Sequence, residues 1–310
     1  MSKFSLSRRR VVAGGAAVLM AAPSIARAQQ PQPWPTGPIT WLNPFPAGGG
    51  TDVFARPLAA QVAEQIGQQI IIDNKGGAGG TVGASQAAKM KPDGSAFFVG
   101  AVHHTIAPAI YKKLDYDLET SFEPITMIAL VPQVISINPT RVPVKNYAEF
   151  LAYLKANPGK VNYASPGPGT AHHLAGELFK LETKTEITHV PYRGAGPAMQ
   201  DLLAGNVDMM FDGMGTSAQQ IKAGKLLGLA VATPQRVPEF PDIPTSAEVG
   251  VPNWIVSTWY GLWAIKGTPQ PIVEKAGSWF RAVADAPETA KALEPMVLVP
   301  VTQTPEKMTE

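Results

Sequence analysis

The sequence predicts an α/β protein of two domains with largely parallel sheets. Three observations predict it. Short apolar runs alternate with helical patterns along the whole chain, as strands and their crossover helices do. One device recurs: a strand, a glycine-rich bend, then a helix start. The 30 prolines and 29 glycines are spread along the chain, which fits many tight loops rather than a low-complexity tail.

The first residues precede the fold. Lys3 and Arg8-Arg9-Arg10 form a charged start, residues 11–22 a short apolar segment, and Ala26-Arg27-Ala28 a small-residue cleavage site. This is the pattern of a secretory signal (residues 1–28), cut after Ala28. Ser7-Arg8-Arg9-Arg10-Val11-Val12 also resembles a twin-arginine export signal. The apolar run is shorter than the roughly 20 residues that span a bilayer. Export removes Lys3, Arg8, Arg9, Arg10 and Arg27 and no acid, so 26 bases against 24 acids become 21 against 24, a net −3. With no basic run after residue 28, a nucleic-acid partner is not expected. There are no cysteines, which excludes disulfides, thiolate metal sites, a cysteine nucleophile and a lipidated mature N-terminus. The expectation is a soluble, monomeric periplasmic protein of roughly 280 residues, enough for two domains.

Residues 29–38 form a Pro-rich leader. A strand at 39–43 feeds Asn43-Pro44-Phe45-Pro46-Ala47-Gly48-Gly49-Gly50-Thr51-Asp52, and a helix leaves it with Phe54, Leu58, Val62 and Ile66 on one face. Thr51 and Asp52 are N-cap candidates. Pro57 predicts a kink or a late start, and Gly67 ends the helix. The device repeats: strand 69–73, bend Gly76-Gly77-Ala78-Gly79-Gly80, Thr81 as cap, helix 84–90. A strand at 96–101 leads to His103-His104, and a short helix is expected at 108–114. The apolar runs 125–131 and 133–138 are separated by Pro132, where the chain crosses to the second domain.

Residues 147–157 are helical, stopped by Pro158-Gly159. Strand 161–164 enters Ser165-Pro166-Gly167-Pro168-Gly169-Thr170, and a helix follows at 171–181. Strand 187–192 leads to Arg193-Gly194-Ala195-Gly196-Pro197, with Pro197 suited to a first helical position. Strand 207–211 opens Asp212-Gly213-Met214-Gly215-Thr216-Ser217 and another helix, closed by Gly224. A strand at 226–232, a Pro-rich loop, an aromatic strand at 257–265 and a helix at 271–284 complete the pattern. The boundaries are 29–131 plus 251–310 for the first domain and 132–250 for the second.

Ligands of open α/β sheets bind beyond the carboxyl ends of the strands, where these glycine bends should gather. Helix N-termini facing a cleft favour an anion. No Lys stands in the first bend, so it is not a nucleotide-hydrolase phosphate loop. Gly77-x-Gly79 has Val82 where a dinucleotide fingerprint needs its third glycine, and no acid ends a following strand about 20 residues on. No cofactor is expected. The hydroxyls of Thr51, Thr81, Ser165 and Thr170 are candidate ligand donors.

These residues resemble the Bug or TctC family, extracytoplasmic solute receptors of the tripartite tricarboxylate transporters. The matching stretches are Pro44-Phe45-Pro46-Ala47-Gly48-Gly49, Asp73-Asn74-Lys75-Gly76-Gly77-Ala78-Gly79-Gly80, Gly169-Thr170-Ala171-His172-His173-Leu174-Ala175-Gly176-Glu177, His189-Val190-Pro191-Tyr192-Arg193-Gly194, Asp201-Leu202-Leu203-Ala204-Gly205 and Trp259-Tyr260-Gly261-Leu262. The resemblance implies a type II periplasmic binding fold, two α/β domains closing on a ligand, and a membrane permease as partner. It implies a small carboxylate as ligand: a di- or tricarboxylate, an acidic amino acid or an aromatic acid. It places one carboxylate between Ala47-Gly48-Gly49 and Ala78-Gly79-Gly80, with Ser165, Gly167, Gly169 and Thr170 approaching from the other domain.

Two positions depart from the family pattern. His103 stands where a small hydroxyl residue is expected, and a His there would read a second carboxylate or narrow the pocket. The chain stops at Glu310, where the family continues through a further helix that Pro305-Glu306-Lys307 would begin. Phe45, between two prolines, is expected to wall the cleft. His172 and His173 are expected to be structural, since adjacent helical residues do not face one metal. Asp212 is open between ligand contact and loop capping, and Asp52 is expected to be a cap. The rival readings are a periplasmic hydrolase using Ser165 or Ser217 with a His, which lacks a Gly-x-Ser-x-Gly elbow, and a sensor that presents its ligand to a membrane kinase.

Overall fold

A computed structural model describes residues 34–284, 286–294, 297 and 299–300. The chain divides into two compact units, residues 1–36 and 37–310, and of the first only 34–36 are described. The signal segment and the 305–307 helix start lie outside the described residues.

β1 (Ile39–Asn43) is central because both faces are apolar, and it pairs in parallel with β2 (Ile70–Asn74) and β3 (Ala96–Ala101). α1 (Gly50–Ile66) starts at the Gly49 cap and ends at Gly67, whose φ of 65° is the left-handed conformation that closes helices. Thr51 and Asp52 therefore sit in its first turn rather than at its cap, and Pro57 is accommodated inside it. A 3-10 turn at Ala78–Gly80 precedes α2 (Thr81–Ala87), which begins earlier than the expected 84. α3 (His103–Ile110) starts at the end of β3 with Pro108 inside. Pro108 reads from sequence as a helix start, but the Thr105 hydroxyl on the Val102 carbonyl (2.7 Å) stabilises the earlier one.

After α4 (Leu118–Ser121), β4 (Phe122–Ile137) runs unbroken through Pro132. Up to Pro132 it pairs antiparallel with β9 (Ser257–Ile265). From Gln133 it lies between β7 (Met209–Gly213) and β8 (Leu227–Val231). Proline, which cannot donate to a ladder, stands where the pairing partner changes. β9 joins β3 to β4, and β5 (Asn162–Ser165) joins β7 to β6 (Thr188–Pro191). The sheet path is β2-β1-β3-β9-β4-β7-β5-β6, with β8 and β10 (Val299–Pro300) also on β4. The sheets are mixed rather than largely parallel, because the strands that carry the chain from one half to the other run back against their neighbours.

The helices α5 (Tyr147–Ala156), α6 (Ala171–Thr183), α7 (Ala195–Ala204), α8 (Met214–Lys222), α9 (Gln270–Ala284) and α10 (Pro287–Leu293) complete the fold. Asn146 and Thr170 cap α5 and α6 through their side chains. Each half has its own apolar core. Leu42, Phe98, Phe122 and Trp263 pack in the first, and Phe150, Tyr163, Phe179, Phe211 and Trp254 in the second.

Candidate functional site

The bend after β1 is held by side chains of its neighbours. Asn43 Oδ1 accepts from Phe45 N (3.2 Å), and Asn74 Nδ2 donates to Phe45 O (2.8 Å) and to Asp52 Oδ1 (3.1 Å). Asp52 Oδ2 accepts from Gly48 N (3.0 Å) and Arg56 Nε (2.8 Å). Burial alone would raise the Asp52 carboxyl. The hydrogen bonds from Arg56, Gly48 and Asn74 outweigh it and hold the group below the usual carboxylate range. Its contribution to stability is therefore present at neutral pH and lost as acid protonates it. Asp52→Asn should cost about 1–2 kcal/mol at neutral pH, the low end for bonds to a charge because Arg56 is half in solvent. Urea unfolding should show the deficit shrinking as pH falls below about 4.

The N-terminus of α1 faces the N-terminus of α7. A Cβ placed on Gly49 would lie 3.5 Å from Gly196 N and 3.6 Å from Ala195 Cβ. A Cβ on Gly196 would lie 2.6 Å from Ala47 O. Free backbone N–H groups and the positive ends of two helices thus converge from the two halves. Between them is a narrow crevice. Phe45, Gly49, Gly50, Thr51, His103 and Tyr260 line it from the first half, and Pro166, His172 and Ala195 from the second. Larger surface hollows of about 460 and 500 Å³ are each lined from one half alone.

The polar wall is made of histidines and an aspartate. His103 Nδ1 accepts from Ala171 N (3.1 Å), and its ring meets Phe45 edge-on at 5.4 Å. Burial, then the neighbouring His172 and His104, pushes His103 well below the usual imidazole range, so it is neutral. His104 Nδ1 accepts from Ala101 N (3.0 Å), and burial brings that ring down to about 4. His172 Nε2 lies 3.4 Å from Asp212 Oδ1. Asp212 Oδ2 accepts from Thr216 Oγ1 (2.5 Å) and Ser217 Oγ (2.7 Å). Asp212 thus holds two hydroxyls of the first turns of α8 without capping it, since Gly213 takes the cap position, and it also faces a residue of the cavity wall.

Residues 54–309 match the model of the tripartite tricarboxylate transporter family receptor, TctC. The chain belongs to this family. The periplasmic binding protein BugD is 36% identical, with a TM-score of 0.85 over 89% of this chain and 92% of that one. A Rhodopseudomonas palustris protein solved with adipate, Rpa4515, is 35% identical at TM-score 0.86 over the same shares. MatC of Rhodopseudomonas palustris, solved with bound malate, is 33% identical at TM-score 0.81, over 86% of this chain and 90% of that one. The fold of this TctC chain is thus that of periplasmic binding proteins, and its family is one of solute receptors. Among the described residues no helix is long and apolar enough to cross a membrane, and no group of three or more His, Cys, Asp or Glu side chains is placed to hold a metal.

The TctC loops singled out from sequence fall into two contacts between the halves. Ala47, Gly48 and Gly49 meet the start of α7. Ala78, Gly79 and Gly80, all with φ between 46° and 94°, form a left-handed turn. A Cβ on Gly79 would lie 2.7 Å from Pro168 O, which also accepts from Tyr111 OH (3.0 Å), and one on Gly167 would lie 3.2 Å from Gly79 N. Gly169 rests against Ile110, and Gly80 packs on Phe45 and His104. Several hydroxyls are bound within their own loops: Thr81 Oγ1 donates to Ala78 O (2.9 Å) and Thr170 Oγ1 to Gly167 O (2.8 Å). Ser165 Oγ is 2.6 Å from His189 Nε2, whose ring lies 4.3 Å from that of His173, and accepts from Gly167 N (3.1 Å). Of the residues expected at the ligand, Phe45, Gly49, Thr51 and His103 line the cavity and Asp212 backs it through His172. Gly50, Pro166, His172, Ala195 and Tyr260 line it without having been chosen from sequence. The Gly194-Ala195-Gly196 bend carried the signal for Ala195; Tyr260, on an aromatic strand, carried none.

Proposed function

We propose that this chain is an extracytoplasmic receptor that captures a small carboxylate by hinge closure and delivers it to a membrane permease. The observation that carries the reading is the convergence of the α1 and α7 N-termini, one from each half, on a single cavity. Adipate and malate in two relatives support a carboxylate. The hinge in this reading is the β4–β9 ladder at Pro132 and Ser257, with 29–131 plus 251–310 moving against 132–250. An anion bridging the two helix ends stabilises the closed form and shifts the population towards it. In this reading the protein binds its ligand without turnover.

A thermal-shift screen over mono-, di- and tricarboxylates tests this. A ligand at 100 times its dissociation constant adds about 2.7 kcal/mol, a rise of roughly 5–10 °C. No shift with any acid, or release of a product from a bound acid, overturns the reading. Loss of uptake of that acid on deletion of the gene checks delivery.

A further inference from the structure

We infer that the Tyr260 hydroxyl is a ligand-binding group, donating a hydrogen bond to the carboxylate held at the N-terminus of α1. The inference rests on the receptor reading and adds a side chain to its anion site. Tyr260 stands on β9, the strand that runs beside β4 where the chain passes between the two halves. It is 2% exposed, and its ring packs on Phe54 of α1 with centroids 4.4 Å apart. The ring is held before any ligand arrives, so little side-chain freedom is left to lose on binding.

The hydroxyl reaches the crevice beside Gly50. A Cβ on Gly50 would lie 2.5 Å from the Tyr260 oxygen and 3.5 Å from its Cζ, so a glycine at this first helical position gives the phenol its place. Gly50 and Thr51 open α1, and their N–H groups have no preceding turn to donate to. Asp52 N and Val53 N, by contrast, already donate to Gly49 O. The hydroxyl therefore stands beside the free donors and the positive end of a 17-residue helix.

Among the described residues no group is hydrogen-bonded to the Tyr260 hydroxyl. On a side chain this buried it meets little water, and an anion that accepts from it supplies the missing partner. Burial first, and Asp212 second, push the phenol far above its usual range, so it keeps its proton and is a donor towards a carboxylate. His103, the neighbouring ring in the crevice, is neutral by burial, and its Nδ1 is taken by Ala171 N. Among the described residues no Lys or Arg lines the crevice. A carboxylate there meets amide and phenol donors in place of a cation, and hydrogen bonds to an ionised acceptor are about twice as strong as neutral ones.

The test compares the wild type with Tyr260→Phe by titration calorimetry against acetate, benzoate, succinate, malate, adipate and citrate. The substitution removes one oxygen and keeps the ring on Phe54, so unfolding without ligand should show wild-type stability. Affinity for the best-bound acid should fall about tenfold or more, the size of one hydrogen bond to a charged group. Binding should also perturb the tyrosine absorption of the wild type, and the perturbation should be smaller in the variant. A Tyr260→Phe protein with unchanged affinity, or with the full perturbation, overturns the inference while leaving the receptor reading in place. So does a loss of affinity that comes with a loss of stability in the unliganded protein. If the variant does not fold, the wild-type spectrum decides alone, and no tyrosine perturbation on binding overturns the inference. Failure of the wild type to bind any of these acids overturns both readings.

Discussion

Gly196→Ala is expected to weaken ligand binding by about 5- to 150-fold while leaving the unliganded protein at least as stable as the wild type. The added methyl would stand 2.6 Å from Ala47 O, 3.3 Å from Gly48 C and 3.4 Å from Gly49 N. These are backbone atoms of the bend that Asn43, Asn74 and Asp52 pin, so they do not move aside as a flexible side chain would. Overpacking of this kind costs about 1–3 kcal/mol. Under the proposed hinge closure the cost falls on the closed form alone, because in an opened cleft the methyl would meet solvent. Alanine is also the better helix former, by up to about 1 kcal/mol in a helix interior. Calorimetry measures the affinity and unfolding without ligand measures the stability. Normal affinity in this variant would show that the ligand-bound protein does not adopt the contact between Gly196 and Ala47.

Trp254→Ala has the largest expected effect on stability, a loss of about 3–5 kcal/mol. The indole is 1% exposed and lies 6.1 Å from the Phe179 ring and 5.7 Å from Phe211, centroid to centroid. Its Nε1 donates to Ala175 O at 2.9 Å. Removal leaves a cavity among rigid rings and a buried carbonyl that loses this donor, and the two costs add. Trp254→Phe keeps most of the volume and should recover most of the loss. Denaturant midpoints of the two variants against the wild type check both statements. The effect belongs to the second half's core, so residual ligand affinity per folded molecule should be close to normal.

Much of the fold was legible because its signals are local. The alternation of apolar runs with helical patterns and Gly67 as a helix stop are decided within a few residues. The errors were local as well. Pro108 reads as a helix start, but the end of β3 starts α3 earlier. Thr51 and Asp52 read as caps, but Gly49 takes that place and frees Asp52 to pin the bend. The family was legible from the glycine bends and the His189–Gly194 run. His172 was not legible as a cavity residue, since its partner Asp212 is 40 positions away and on another element.

The sequence by itself determined the α/β class and the glycine bends at strand ends, because dihedral preferences and periodicity act between neighbours along the chain, and its motifs carried the resemblance to the family. Only the tertiary structure decided which bends meet: Gly49 with Gly196, Gly79 with Gly167. It alone decided that His172 and Asp212 form the polar wall. Those pairings depend on how β4 and β9 hold the two halves against each other, a long-range arrangement that no short stretch of residues encodes.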